Sequence, residues 1–116
     1  MAVPTSVSLV VVNYNGLRWI DACLESIYAQ TRPPQEVVVI DNASPAGDVD
    51  HIRVTWPQVQ LIPLPNNVGY ASACNIGIEA STGELVAVLN NDISLSPDWL
   101  EFSLGWCWCG GIRGPV

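Results

Sequence analysis

The sequence predicts an α/β fold built on a mostly parallel sheet. β-branched and aliphatic runs recur at Val7 to Val12, Glu36 to Ile40 and Leu85 to Leu89, each run stops at a polar turn, and helical apolar spacing fills the intervals between them. Strands that alternate with helices are joined by right-handed crossovers, which places them side by side and parallel. Each strand then delivers polar residues to the same edge: Asn13-Tyr14-Asn15-Gly16, Asp41-Asn42-Ala43-Ser44 and Asn90-Asn91-Asp92. In an open parallel sheet that C-terminal edge is where ligands bind.

Taken in order, Val7 to Val12 is a β-branched strand that ends at Asn13. Leu17, Ile20, Leu24, Ile27 and Tyr28 recur at helical spacing, so a helix of about four turns is expected from Leu17, with Asn15 as its cap and Pro33-Pro34 as its stop. Glu36 to Ile40 is the second strand. Val49, Ile52 and Trp56 share one face of a short helix closed by Pro57. Val59 to Leu64 is a weaker strand bounded by prolines. The loop Asn66-Asn67-Val68-Gly69-Tyr70 leads into a helix of small residues, on which Ala71, Cys74 and Ile78 are expected to share the packed side. Such a helix packs close to a sheet, and Asn75 on it is either a solvated amide or a group aimed at a neighbouring loop.

Ser81-Thr82-Gly83 turns the chain into Leu85 to Leu89, whose five consecutive apolar residues read as the central strand, buried on both faces. Asn90-Asn91-Asp92 is then either a turn or the polar end of a ligand site, since these residue types favour both. Ser96-Pro97-Asp98 starts a further helix carrying Trp99 and Leu100. From Gly105 the chain shows neither helical nor strand period. The expected organisation is a single ligand-binding part over residues 1–104 and an atypical, disordered tail over 105–116.

Composition excludes several classes. At 116 residues, with 49% hydrophobic and 13% charged residues, the chain is a globular domain rather than a disordered one, and no apolar run approaches the roughly 20 residues of a membrane span. A net charge of −7, with four arginines and no lysine, speaks against nucleic acid as a partner. The same charge repels an anionic ligand, so a diphosphate site here requires a cation to screen it. Met1 to Ser6 shows no signal-peptide pattern, and the expected compartment is the cytoplasm or the inner face of the cell membrane. The cysteines are then thiols. Cys23 and Cys74 read as small core residues, whereas Cys107 and Cys109, alternating with Trp106 and Trp108, lack the second pair or nearby histidine of a zinc site.

Four motifs together, Val10 to Gly16, Val38 to Ser44, Asn67 to Ala71 with Asn75-Ile76-Gly77, and Gly83-Glu84 through Asp92, resemble the family-two glycosyltransferases. The likeness is strongest to the rhamnosyltransferase-like branch and covers about residues 7 to 101. It implies a GT-A fold and transfer of a sugar from a nucleoside-diphosphate sugar to a glycan or lipid-linked acceptor, with inversion and assistance from magnesium or manganese. Residue by residue, it implies that Val12, Asn13 and Tyr14 line the nucleobase end, that Asp41 hydrogen-bonds the base, and that Asn67, Gly69 and Asn75 line the wall beside the ribose and diphosphate. Asn90-Asn91-Asp92 stands where the family carries Asp-x-Asp, so Asn90 accepts from ribose and Asp92 meets the metal.

Plain structural roles stay open beside these. Asp41 also suits an Asx turn onto Ala43 or Ser44, Asn13 and Asn15 suit strand ends and caps, and Tyr14 and Trp19 suit core packing as well as base stacking. A flavodoxin-like or receiver domain is disfavoured, because no glycine-rich phosphate loop follows the first strand and no lysine is present. The family's catalytic base lies well downstream of its metal motif. Only about 24 residues follow Asp92 here, and among them Asp98 and Glu101 suit the first turn of a helix, so the base is expected beyond the chain end. A truncated or frame-shifted product has this pattern. Apolar surface near Leu85 to Leu89 and Trp99 would then lack cover, which predicts self-association.

Overall fold

The computed structural model describes residues 6–101 and Ser103. From Val7 to Asn90 strands and helices alternate: β1 (Val7–Asn13), α1 (Ile20–Tyr28), β2 (Glu36–Asp41), α2 (Asp48–Thr55), β3 (Gln60–Pro63), α3 (Tyr70–Ala80) and β4 (Leu85–Asn90). The strands form one sheet in the order β3-β2-β1-β4, and every neighbouring pair is parallel. Register aligns the polar strand ends, with Asn13 opposite Asp41 and Val12 opposite Asn90.

The β-branched runs explain the layers. Successive strand side chains point to opposite faces, so an uninterrupted apolar run needs cover on both. Val7, Leu9 and Val11 of β1, with Val37 and Val39 of β2, pack against Ile20, Cys23, Leu24 and Ile27 of α1 and Ile52 of α2. Val10, Val12, Val38 and Ile40 point the other way, against Ala73 of α3. Each such aliphatic side chain contributes about 1.5–3 kcal/mol on full burial, and β1, buried along its whole length, carries the largest share.

Three expectations need correction. The strand at Leu85–Asn90 is not central: it pairs with β1 alone at one edge of the described sheet, and Leu89 is its only buried residue. The centre belongs to β1 and β2. The first helix starts at Ile20 rather than Leu17, because Asn15 takes a left-handed conformation (φ 49°) and the Gly16 carbonyl accepts from both Trp19 and Ile20 in a tight turn. Asn15 therefore caps nothing, and Leu17 is exposed. On α3 the buried residues are Ala73 and Gly77, while Ala71 is exposed and Cys74 and Ile78 are half-buried. This helix does pack close to the sheet: a Cβ on Gly77 would lie 2.3 Å from Val10 Cγ1.

Polar contacts tie neighbouring elements of one layer together. Asp21 of α1 accepts from Trp56 Nε1 at 2.8 Å and lies 2.8 Å from His51 Nε2 on α2, while Tyr28 stacks on Trp56. Gln30, which is buried, accepts from the Leu100 amide and donates to the Ser96 carbonyl. The segment after Asp92 is thereby held against α1, and the helix expected there begins at residue 99. Cys107, Cys109 and the tail lie outside the described residues.

Candidate functional site

The ends of three parallel strands and the start of α3 enclose a cleft of about 330 Å³. The end of β1 supplies Val12 and Tyr14, the end of β2 supplies Asn42, the loop before α3 supplies Asn67 and its first residue Tyr70, and the end of β4 supplies Asn90, Asn91 and Asp92. The lining thus combines two half-exposed aromatic rings, four amides and one carboxylate. Aromatic faces suit stacking on a planar base, amides suit the edges of a base or sugar, and a carboxylate suits a hard cation.

Local structure explains why these groups converge. Asn42 accepts from the Val68 amide at 2.9 Å and donates to the Gly69 carbonyl at 3.2 Å, which pins the loop of residues 66–69 over the end of β2. Asn67 accepts from the Gly69 amide at 2.9 Å. Partial burial, and then the neighbouring Cys74 thiol, hold the Tyr70 phenol above its usual pKa, so it is neutral at pH 7. Beside Asp92, burial first and the Asp92 charge second push the Cys23 thiol up to about 11. That thiol donates to the Asn90 carbonyl at 3.8 Å and is no nucleophile.

The predicted residues separate into two groups. Val12, Tyr14, Asn67, Asn90 and Asp92 share the cleft. Asn13 and Asp41 lie beneath it, 0% and 1% exposed. The Asp41 carboxylate accepts from Asn13 Nδ2, from the Ser44 amide and from the Ser44 hydroxyl, an Asx turn with a further side-chain bond. Gly69 borders the cleft loop without lining it, and Asn75 is exposed on α3. Asn42, Tyr70 and Asn91 line the cleft although no role was expected of them. The signal for Asn42 and Asn91 was their place at strand ends beside Asp41 and Asp92.

Among the described residues no group of three His, Cys, Asp or Glu side chains comes together as a metal centre. The donor set around Asp92 nevertheless fits magnesium or manganese. One carboxylate and neighbouring amide oxygens are hard ligands, and these ions complete their shells with water and phosphate oxygens rather than an all-protein cage.

Fold and cleft define an α/β protein whose cleft lies across the C-terminal ends of parallel strands. Residues 8–103 match the model of Glycosyl transferase family 2, and the chain belongs to that family. It is 38% identical over 96 residues to the succinoglycan biosynthesis protein ExoO of Rhizobium meliloti, covering 82% of this chain and 28% of that protein. To the glycosyltransferase AglE of Haloferax volcanii it is 33% identical over 100 residues, covering 82% and 33%. Among solved structures, the mannosyltransferase PcManGT from Pyrobaculum calidifontis, in complex with GDP-Man and Mn2+, superposes with a TM-score of 0.79 at 31% identity over 91% of this chain and 33% of that one. S. aureus TarS in complex with UDP-GlcNAc superposes with a TM-score of 0.78 at 23% identity, over 88% and 31%, which shows a shared fold. The fold is GT-A, and these neighbours do not single out the rhamnosyltransferase-like branch. The chain spans about a third of the length of the curated relatives it matches.

Proposed function

We propose that this chain is the donor-binding part of a metal-assisted, inverting glycosyltransferase, taking a nucleoside-diphosphate sugar whose sugar passes to a glycan or lipid-linked acceptor. The observation that carries this reading is the meeting of Asp92 with Asn90, Asn91 and two tyrosines in one cleft at the strand ends. Tyr14 and Tyr70 offer faces for the base, with Val12 as apolar floor. Asn67 and Asn42 present amides to the base edge and ribose, and Asn90 accepts from ribose.

Asp41, engaged with Asn13 and Ser44, reaches a base only by exchanging its Ser44 contact for one with the ligand. Asn13 supports the floor, and Gly69 and Asn75 flank the diphosphate side. Asp92 anchors magnesium or manganese, which when bound neutralises charge on the departing nucleoside diphosphate. Asp98 and Glu101 are exposed and outside the cleft lining, so neither is assigned as the base that deprotonates the acceptor.

Because the chain spans a third of its relatives, a second reading stands beside the first: it binds donor without turnover. The two share one pocket. No helix among the described residues is long and apolar enough to cross a membrane, and a place in the cytoplasm or at the inner membrane face is part of the proposal. So is self-association through the half-exposed β4.

Calorimetric titration with uridine, deoxythymidine and guanosine diphosphates, with and without manganese, tests the pocket. Manganese-dependent binding by the wild-type chain, lost in Asp92→Ala, is expected. Absence of binding by a folded chain, or binding indifferent to both manganese and Asp92, refutes it.

A further inference from the structure

Asn13 and Asp48 are both 0% exposed beneath the cleft, and Asp48 has no part in the pocket described above. The two amide hydrogens of Asn13 go to two different carboxylates: Nδ2 donates to Asp41 Oδ1 at 2.9 Å and to Asp48 Oδ2 at 2.9 Å. Asp48 Oδ2 also accepts the Gly16 amide at 2.8 Å. Both carboxyl oxygens accept from Asn13, so its nitrogen is the end turned toward them. Its carbonyl oxygen is then the end that faces the β4 loop, where Asn91 Nδ2 donates to it at 2.8 Å. The polarity of the whole chain of bonds is fixed from its buried end.

Gly16 makes room for the last link. A Cβ there would lie 2.0 Å from Asn91 Nδ2 and 2.1 Å from Asn13 Oδ1, inside the hydrogen bond itself. Asp48 has a further feature that packing alone does not explain: its other oxygen, Oδ1, is buried without a hydrogen-bond partner. A buried, half-satisfied carboxylate is costly, and its one satisfied oxygen is spent on orienting Asn13 and the Gly16 turn.

We infer that Asp48 and Asn13 are positioning residues for the cation and diphosphate end of the cleft. Acting in series, they dictate that residue 91 be a hydrogen-bond donor, fix the direction of its amide, and thereby hold the adjacent Asp92 in place. This rests on the donor-pocket reading, and it makes a prediction opposite to simple charge counting. Asn91→Asp adds a second carboxylate beside Asp92, which by charge alone tightens manganese binding. A carboxylate has no hydrogen to give Asn13 Oδ1, so the clamp is instead expected to open.

The test uses the whole chain in two measurements. In nuclear magnetic resonance of the unliganded protein, the Asn91 side-chain amide, assigned by its loss in Asn91→Ala, is expected at shifts displaced from those of a solvated amide. It should return to solvated values in Asn13→Ala and in Gly16→Ala. Solvated values in the wild type, or no change in the variants, overturn the clamp whether or not nucleotide binds.

In titration with uridine diphosphate and manganese, Asn91→Asp is expected to bind at least 10-fold more weakly than wild type. Asn13→Ala is expected to cost nothing further once Asn91→Ala is present, an outcome that mere loss of stability does not produce. Equal or tighter binding by Asn91→Asp, or additive losses, overturn the inference. Failure of the wild type to bind refutes the donor pocket instead, and the amide shifts alone then decide the clamp.

Discussion

Substituting Gly77 by alanine sets two effects of opposite sign against each other. In an exposed helix, alanine is favoured over glycine by about 1 kcal/mol. On α3, however, the added methyl would lie 2.3 Å from Val10 Cγ1 and 3.3 Å from Ile40 Cγ1, where carbon atoms normally sit about 3.5–4 Å apart. Relief requires more than 1 Å of movement. Val10 lies in β1 between Val38 and Val88, with no exposed surface, so the sheet has nowhere to yield and the helix must lift. Overpacking of this kind costs about 1–3 kcal/mol, and a clash against an immobile strand belongs at the upper end. The net expectation is a loss of about 1–2 kcal/mol, which at 4–8 °C per kcal/mol lowers the melting temperature by about 4–16 °C. Thermal and urea denaturation followed by circular dichroism measure it. A Gly77→Ala variant as stable as wild type, or more so, would mean that α3 stands off the sheet. The reasoning that places Tyr70 at the cleft would then fail with it.

Two further outcomes concern groups outside the cleft lining. Partial burial would raise the Glu36 carboxyl, but hydrogen bonds from the Ser8 hydroxyl and from the Thr82 amide and hydroxyl outweigh it and hold the pKa below its ordinary 4.5. A folded-state pKa below the unfolded one means stability that is present above about pH 4.5 and lost as pH falls through the folded value. Glu36→Gln is therefore expected to melt earlier than wild type at pH 7, by about 1–2 kcal/mol for charge-assisted bonds at a partly solvated site, with the difference closing in acid. A gap unchanged down to pH 3 would show that the carboxylate charge contributes nothing. The Cys23 thiol, held near 11, is expected to resist iodoacetamide at pH 8 in the folded chain and to react on unfolding, as read by peptide mass spectrometry. Rapid native labelling of Cys23 would contradict its burial behind Asp92.

The parts of the fold legible in the sequence are those set by local pattern. β1 and β2 are uninterrupted β-branched runs, and two-sided burial is what such runs encode. Leu85 to Leu89 carries the same kind of run and yet lies at an edge, because strand order depends on which crossover packs where and leaves no mark on the strand itself. The packed side of α3 escaped for a related reason. With Ala, Ser, Cys and Gly on nearly every side, apolar spacing fits more than one face, and the choice falls to Gly77, where the sheet comes closest. Asn13 and Asp41 were recognisable as polar strand ends, but whether an amide points to solvent or to a buried carboxylate is decided by partners far along the chain. Asp48, at the start of α2, and Asn91, 78 positions beyond Asn13, are those partners.

The edge position of β4 has a thermodynamic consequence. Among the described residues its one strand partner is β1, and that pairing closes a loop of more than seventy residues, so β4 can detach while leaving β1, β2 and β3 paired. Such detachment would remove Asn90, Asn91 and Asp92 from the cleft and leave Tyr14, Asn42 and Asn67 where they are. A ligand that spans both sides binds only the closed form and stabilises it by RT ln(1 + [L]/Kd), visible as slowed hydrogen exchange along Leu85 to Asn90. Occupancy of the cleft and closure of the sheet edge are then a single equilibrium, with the bound ligand acting as a staple on the last strand.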